Sequence, residues 1–163
     1  MLTKLTCSIL AGLCLTPLAL ADADSDRAVA EAYLAAYESQ DYETMRTLYA
    51  DDAVFVDPTS FHLSSMPPIE WQGPETIIAG IASWGLAHID YHPERSFTAS
   101  GAVVFEGDAD VYYTTPGGDR VFNYPIVTII TISDGRVVEH RDYTDYAGSR
   151  ELTPLADAST STN

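Results

Sequence analysis

Past its first twenty-one residues the chain has no cysteine, because Cys7 and Cys14 both stand in the opening segment. Thiol nucleophiles, thiolate metal sites and disulfide staples are therefore excluded from the remainder, which must rest on an apolar core alone. Positive charge is scarce as well: 8 lysines and arginines stand against 24 aspartates and glutamates, a formal net charge of −16. Such a surface repels nucleic acid and anionic membranes and favours neutral or cationic partners, and its plainest meaning is solubility. The sequence also lacks G-x-S-x-G, a phosphate-binding glycine loop and a dinucleotide fingerprint, so serine hydrolase, nucleotidase and dehydrogenase readings have no support. Neither an internal repeat nor a second domain is visible in 163 residues.

The long apolar run sits at the start. Lys4, the stretch Leu5–Leu20 and Ala19-x-Ala21 read as a secretory signal peptide, too short and wrongly flanked for a membrane span. Neither cysteine follows a small residue, which argues against a lipoprotein anchor. The expectation is cleavage after Ala21 and export to the periplasm or beyond, with no membrane contact afterwards. The domain would then run over 22–147, followed by a flexible tail at 148–163.

Apolar residues Val29, Ala32, Tyr33, Ala36 and Tyr37 recur at helical spacing from Ser25 to Gln40. Asp41 can cap a second helix with Tyr42, Met45, Leu48 and Tyr49 on its apolar face. Asp51-Asp52 then leads into a short strand, Ala53–Asp57, stopped by Pro58. The stretch Thr59–Gln72 reads as a loop and a candidate lid, and Gly73-Pro74-Glu75 starts a third helix with Ile77, Ile78, Ile81 and Trp84 inward. The remainder is strand and turn: Tyr91–Ala99, Val103–Thr115, Val121–Ile132, and a last strand opened by the Asp134-Gly135 hairpin signal. Helices followed by a long meander make an α+β fold, a strongly curved antiparallel sheet wrapped around three helices and enclosing a conical pocket.

The last strand carries the chemistry. Alternation puts Val138, His140, Asp142 and Thr144 on one face and Val137, Glu139, Arg141 and Tyr143 on the other. If the first face points inward, a histidine and a carboxylate enter an apolar interior, where a carboxylate needs an ion pair, a hydrogen-bond network or a reaction. Asp57, on the same face as Phe55 at the end of its strand, is a second candidate base, or else simply a strand terminator before proline. Glu106, Asp108, Asp110 and Tyr112 share a face opposite Val103, Phe105, Ala109 and Val111, the usual pattern of a solvated acidic face. His88-x-x-x-His92 aligns ligands only on a helix, and Pro93 and the strand pattern argue against one, so no metal is expected.

The element order, LYADDAVFVDP after two helices, the QGPETI helix start and the terminal DGRVVEHRDYTDY together resemble the nuclear transport factor two-like superfamily. This group includes the SnoaL-type polyketide cyclases, limonene-epoxide hydrolases and steroid delta-isomerases. The resemblance covers roughly Asp26 to Tyr146 and implies the cystatin-like α+β cone. It places Tyr33 at the steroid isomerases' oxyanion hydroxyl and Asp57 at their proton-shuttling base, while Val127 falls at their second, aspartate donor. It places Asp142 at the catalytic aspartate of the epoxide hydrolases and cyclases, and Asp110 at the aspartate of an Arg-x-Asp whose arginine is missing here.

Two functions follow. One is cofactor-independent acid–base catalysis (isomerisation, cyclisation, or epoxide or ester hydration) on a small apolar or aromatic molecule. Asp142 or Asp57 would move the proton, Tyr33 would stabilise negative charge and His140 would tune or relay. Phe55, Trp84, Asp110 and Tyr112 are the candidate ligand contacts. The other is a non-catalytic exported ligand-binding or scaffolding domain using the same cavity or sheet. A homodimer through the sheet is compatible with either.

Overall fold

The structure, a computed structural model, describes Leu18–Leu152. The expected signal segment, its last turn apart, and the tail from residue 153 lie outside the described residues. Among those described, no helix is long and apolar enough to cross a membrane.

Helix α1 runs Leu18–Glu38 and buries Ala30, Tyr33, Leu34 and Tyr37, an i, i+3, i+4, i+7 stripe. The stripe is rotated from expectation: Ala32 is exposed, and Ala30 and Leu34 are buried beside the two tyrosines. Gln40, at φ 57°, turns the chain. Asp41 then caps α2, Tyr42–Leu48, by accepting the Thr44 amide at 3.1 Å. Strand β1, Tyr49–Asp57, includes the two acids that were expected to precede it. Pairing with the last strand is irregular between Tyr49 and Val54, and there Asp51 and Asp52 point to solvent.

The expected loop is more ordered than its composition indicates. A 3-10 helix, Pro58–His62, follows β1, and β2, Ile69–Gln72, returns to pair antiparallel with it. The buried Ser60 pins the two together, donating to the Asp57 carbonyl at 2.6 Å and accepting the Ile69 amide at 2.8 Å. Helix α3, Pro74–Ala82, starts at Gly73 with proline in its first turn and buries Ile77, Ile78 and Ile81.

Four long strands complete the sheet: β3 Leu86–Ala99, β4 Ala102–Thr115, β5 Gly118–Ser133 and β6 Arg136–Thr144. Spatial order is β2-β1-β6-β5-β4-β3, antiparallel except for the parallel β1–β6 pair. A two-residue strand β7, Arg150–Glu151, pairs with β5, so the stretch expected to be a free tail from Gly148 begins in the sheet. Ser100-Gly101 and Asp134-Gly135 both take positive φ at both positions, the mirror-image turn that matches strand twist.

Strand β3 starts at Leu86, five residues before the expected Tyr91, and runs through Pro93. It is an edge strand, where a missing N–H costs no ladder bond, and the register shifts between Pro93 and Arg95 to absorb the ring. Gly107 lies opposite. A Cβ there would sit 2.1 Å from the His92 carbonyl oxygen, so the kink that curves the sheet requires a bare backbone. Gly107→Ala should therefore lower stability by about 1–3 kcal/mol, the overpacking range. A thermal melt matching wild type would show that the strands can part without loss.

Candidate functional site

Curvature leaves a cavity of about 290 Å³ between the concave face of the sheet, the α1 stripe and the 58–72 segment. Its walls are apolar and aromatic: seven of the lining residues are Tyr, Trp or Phe, and Met66 and Ile69 contribute from the expected lid segment. Two carboxylates open into it, Asp57 and Asp142. Register explains their meeting. Phe55 pairs with His140 and Val56 with Arg141 across the parallel β1–β6 ladder, and each strand carries its carboxylate one residue beyond the last of these pairs.

The inward face of β6 differs from strict alternation by one residue. The β5–β6 register shifts between Thr131 and Ile132, which leaves Val138 as the extra residue of a bulge. Val137 is therefore fully buried and Val138 is not, while His140, Asp142 and Thr144 keep the inward side.

Asp142 anchors a buried chain of hydrogen bonds. Its Oδ1 accepts from His140 Nε2 at 2.9 Å and from the Thr128 hydroxyl at 2.5 Å. Tyr91 in turn bonds Thr128. On the far side of the imidazole, the Tyr33 hydroxyl meets His140 Nδ1 at 2.7 Å and also bonds Tyr49. One assignment satisfies every group: Tyr49 donates to Tyr33, Tyr33 to Nδ1, Nε2–H and Thr128 to Asp142, and Tyr91 to Thr128. The imidazole is then neutral, and all donors converge on Oδ1. Asp142 Oδ2 has no hydrogen bond to a described residue and belongs to the cavity side. Phe55 packs on the imidazole at 4.2 Å between centroids, and Tyr37 meets it edge-on at 5.0 Å.

Asp57 is held otherwise. Its Oδ1 accepts the Thr59 amide at 2.9 Å and the Thr59 hydroxyl, and its Oδ2 accepts the Tyr146 hydroxyl at 2.8 Å. The strand-terminator reading is correct here, and so is the placement in a cavity: capping the 3-10 helix and lining the pocket are done by one carboxylate.

The candidates divide. Phe55, Asp57, Trp84 and Asp142 line the cavity. Tyr33 and His140 are fully buried behind Asp142 and do not reach the cavity, so Tyr33 supports the imidazole rather than facing a ligand. Asp110 and Tyr112 are corrections. The inward period of β4 is Ala109, Val111, Tyr113, which turns both residues to the outer face. Asp110 there shares the Asn123 amide with Asp108 and lies 3.4 Å from His92, and Tyr112 stacks on His88 at 3.9 Å. Val127 also lies outward, since Ile126 and Thr128 point in. The inward residue at this point of β5 is Thr128, whose hydroxyl holds Asp142. His92, Asp108 and Asp110 could offer ligand atoms within 4.8 Å of one another, but Asn123 already bridges the two carboxylates.

Sequence reasoning missed Thr128 and four tyrosines of the wall, Tyr91, Tyr113, Tyr124 and Tyr146. Tyr146 was findable: it continues the period 140, 142, 144 past the end of the strand. Tyr113 was findable too, since it continues the period 109, 111 on β4, whereas Tyr91 lies on β3, which starts earlier than expected and shifts register at Pro93.

A sequence profile of the SnoaL-like domain matches residues 30–140, and the chain belongs to that family. Comparison with curated proteins returns no match. Among solved structures, a protein of Shewanella putrefaciens CN-32 described as a SnoaL-like polyketide cyclase is 25% identical with a TM-score of 0.65, covering 86% of this chain and 94% of its own. A counterpart from Shewanella denitrificans OS-217 is also 25% identical at TM-score 0.65, over 75% of this chain and 91% of its own. An LEH-like epoxide hydrolase of M. tuberculosis shares the fold at 17% identity and TM-score 0.61, over 76% of this chain and 85% of its own.

Burial raises the tyrosine hydroxyls of Tyr33, Tyr37 and Tyr91 well above their ordinary range, with neighbouring Tyr49, for Tyr33, and Asp142, for Tyr37 and Tyr91, adding to it. The described residues contain no lysine and no cysteine, so among them only tyrosines and arginines can titrate in alkali. With folded values above unfolded ones, this stabilisation is fully present below about pH 10 and is lost as pH rises through the folded values. Urea midpoints should hold to about pH 9 and then fall, each buried tyrosine adding about 1.4 kcal/mol per pH unit to the slope. Tyr37→Phe should make the fall shallower. A flat profile to pH 12 would contradict the buried network.

Proposed function

We propose that this SnoaL-like domain binds a small, largely apolar molecule in its conical cavity and moves a proton on it without a cofactor, with Asp142 as the base. The observation that carries the reading is the asymmetry of one carboxylate: both protein donors sit on Asp142 Oδ1, and Oδ2 is left toward the cavity. A base so held has its orientation fixed and one oxygen free of protein donors. His140, locked by Tyr33 on Nδ1, positions the carboxylate through its Nε2–H. The cavity is at the small end of the range for ligand sites, roughly 300–1,000 Å³. Isomerisation, aldol-type cyclisation and epoxide or ester hydration all need this one element, and the likeness to proteins described as polyketide cyclases favours abstraction next to a carbonyl.

A second reading, binding without turnover, draws on a specific observation. Tyr33 is sealed behind the imidazole and Val127 faces outward, so neither oxyanion position of the steroid-isomerase pattern reaches the cavity. Thermal-shift screening and mass spectrometry of what co-purifies would supply the ligand. Asp142→Asn keeps both hydrogen bonds at Oδ1 and removes the proton acceptor. Turnover should fall by about 100-fold or more with the melting temperature unchanged or raised. A variant that melts well below wild type yet turns over normally per folded molecule would remove Asp142 from the chemistry.

Export is part of the proposal. The run Leu5–Leu20 with Ala19-x-Ala21 supports removal of residues 1–21 and work outside the cytoplasm. N-terminal sequencing of the secreted fraction should begin at Asp22; a chain retaining Leu5–Leu20 would refute it.

A further inference from the structure

Asp57 is 2% exposed, and every donor on it is neutral: the Thr59 amide and hydroxyl and the Tyr146 hydroxyl. None of the ion pairs among the described residues includes it. Buried carboxylates are ordinarily matched by an opposite charge or a ligand. A second carboxylate, Asp142, lines the same cavity, and its Oδ2 has no hydrogen bond to a described residue. No lysine, arginine or histidine stands among the described residues that line the cavity. Two carboxylates in one apolar cavity repel each other, and a proton or a cation there relieves the repulsion.

The walls select the kind of cation. A metal ion would need several oxygen ligands, and the lining around the carboxylates is aromatic and aliphatic. Ring faces, however, attract organic cations, and seven rings surround this space, Tyr124 and Tyr146 meeting edge to face at 6.2 Å next to Asp57. We infer that the ligand of this cavity carries a cationic nitrogen: an organic ammonium ion whose head sits at Asp57 and whose apolar body packs on Phe55, Trp84 and Tyr113. The inference rests on the small-molecule reading above and assigns Asp57 to binding, leaving Asp142 to the chemistry.

The test is calorimetric titration of the full chain at pH 7 with 2-phenylethylammonium, 2-phenylethanol and phenylacetate, which share a ring and differ in head charge. The ammonium should bind about 10-fold or more tighter than the alcohol, with phenylacetate weakest. The alcohol should displace the ammonium competitively. In Asp57→Asn the ammonium should fall to within about threefold of the alcohol, whose own affinity stays put. Equal affinity of ammonium and alcohol would overturn the cation inference, a shared proton then neutralising the pair, and would leave the small-molecule reading standing. Tight ammonium binding that the alcohol cannot displace would place the cation on the acidic exterior and overturn it too. Binding of none of the three would overturn both readings. Should Asp57→Asn fail to fold, the wild-type ratio decides alone.

Discussion

A carboxylate at the floor of an apolar cone is the constraint to which the rest of this structure answers. Asp142 is 4% exposed, and leaving such a group unmatched would cost more than any single core contact returns. Its matching is spread over the fold. His140 comes from its own strand, Thr128 from β5, Tyr91 from β3, Tyr33 from α1 and Tyr49 from the start of β1. The network therefore ties the helix to four strands of the sheet. Displacing any of these elements would strand a buried polar group, so the chain of bonds specifies how the helix docks as well as how the carboxylate points.

Curvature is the second requirement, because a flat sheet encloses nothing. It is produced locally. The bulge at Val138 bends β6 where it leaves the turn, and the Pro93–Gly107 contact bends β3 against β4. The same bulge sets the phase of β6 and so lets Val137 join the core without moving Asp142 off the inner face. Shape and chemistry are thus coupled through a single extra residue.

What the sequence made legible follows from how local each signal is. Helix caps, the Asp-Gly turn and the meander of strands depend on neighbours in the chain, and they were readable at Asp41, Gly73-Pro74 and Asp134-Gly135. The pocket identity of Asp57, Phe55, Trp84 and Asp142 was readable because each ends or faces an apolar run. Depth was not. Tyr33 and His140 lie on inward faces just as Asp142 does, and only packing reveals that Asp142 stands between them and the cavity. Phase across a bulge or an edge-strand proline was equally hidden, as at Val138 on β6 and Pro93 on β3. Where the alternation of β4 and the resemblance disagreed over Asp110, the alternation was the better guide, since side-chain direction on a strand is fixed by the pleat.

The two cavity carboxylates differ in how their oxygens are used, and this argues for a division of labour. Asp57 uses both oxygens on neutral donors, one of them the amide that begins a 3-10 helix, and these contacts hold the 58–72 segment against β1. Asp142 gathers its donors on one oxygen and keeps the other clear, so a proton can arrive at Oδ2 without breaking a bond at Oδ1. The imidazole behind it, neutral in the resting arrangement, can respond by strengthening or relaxing its own hydrogen bond, with Tyr33 holding the opposite nitrogen. A base of the kind proposed, which cycles between two protonation states, needs that reversibility; a carboxylate that pins a wall does not.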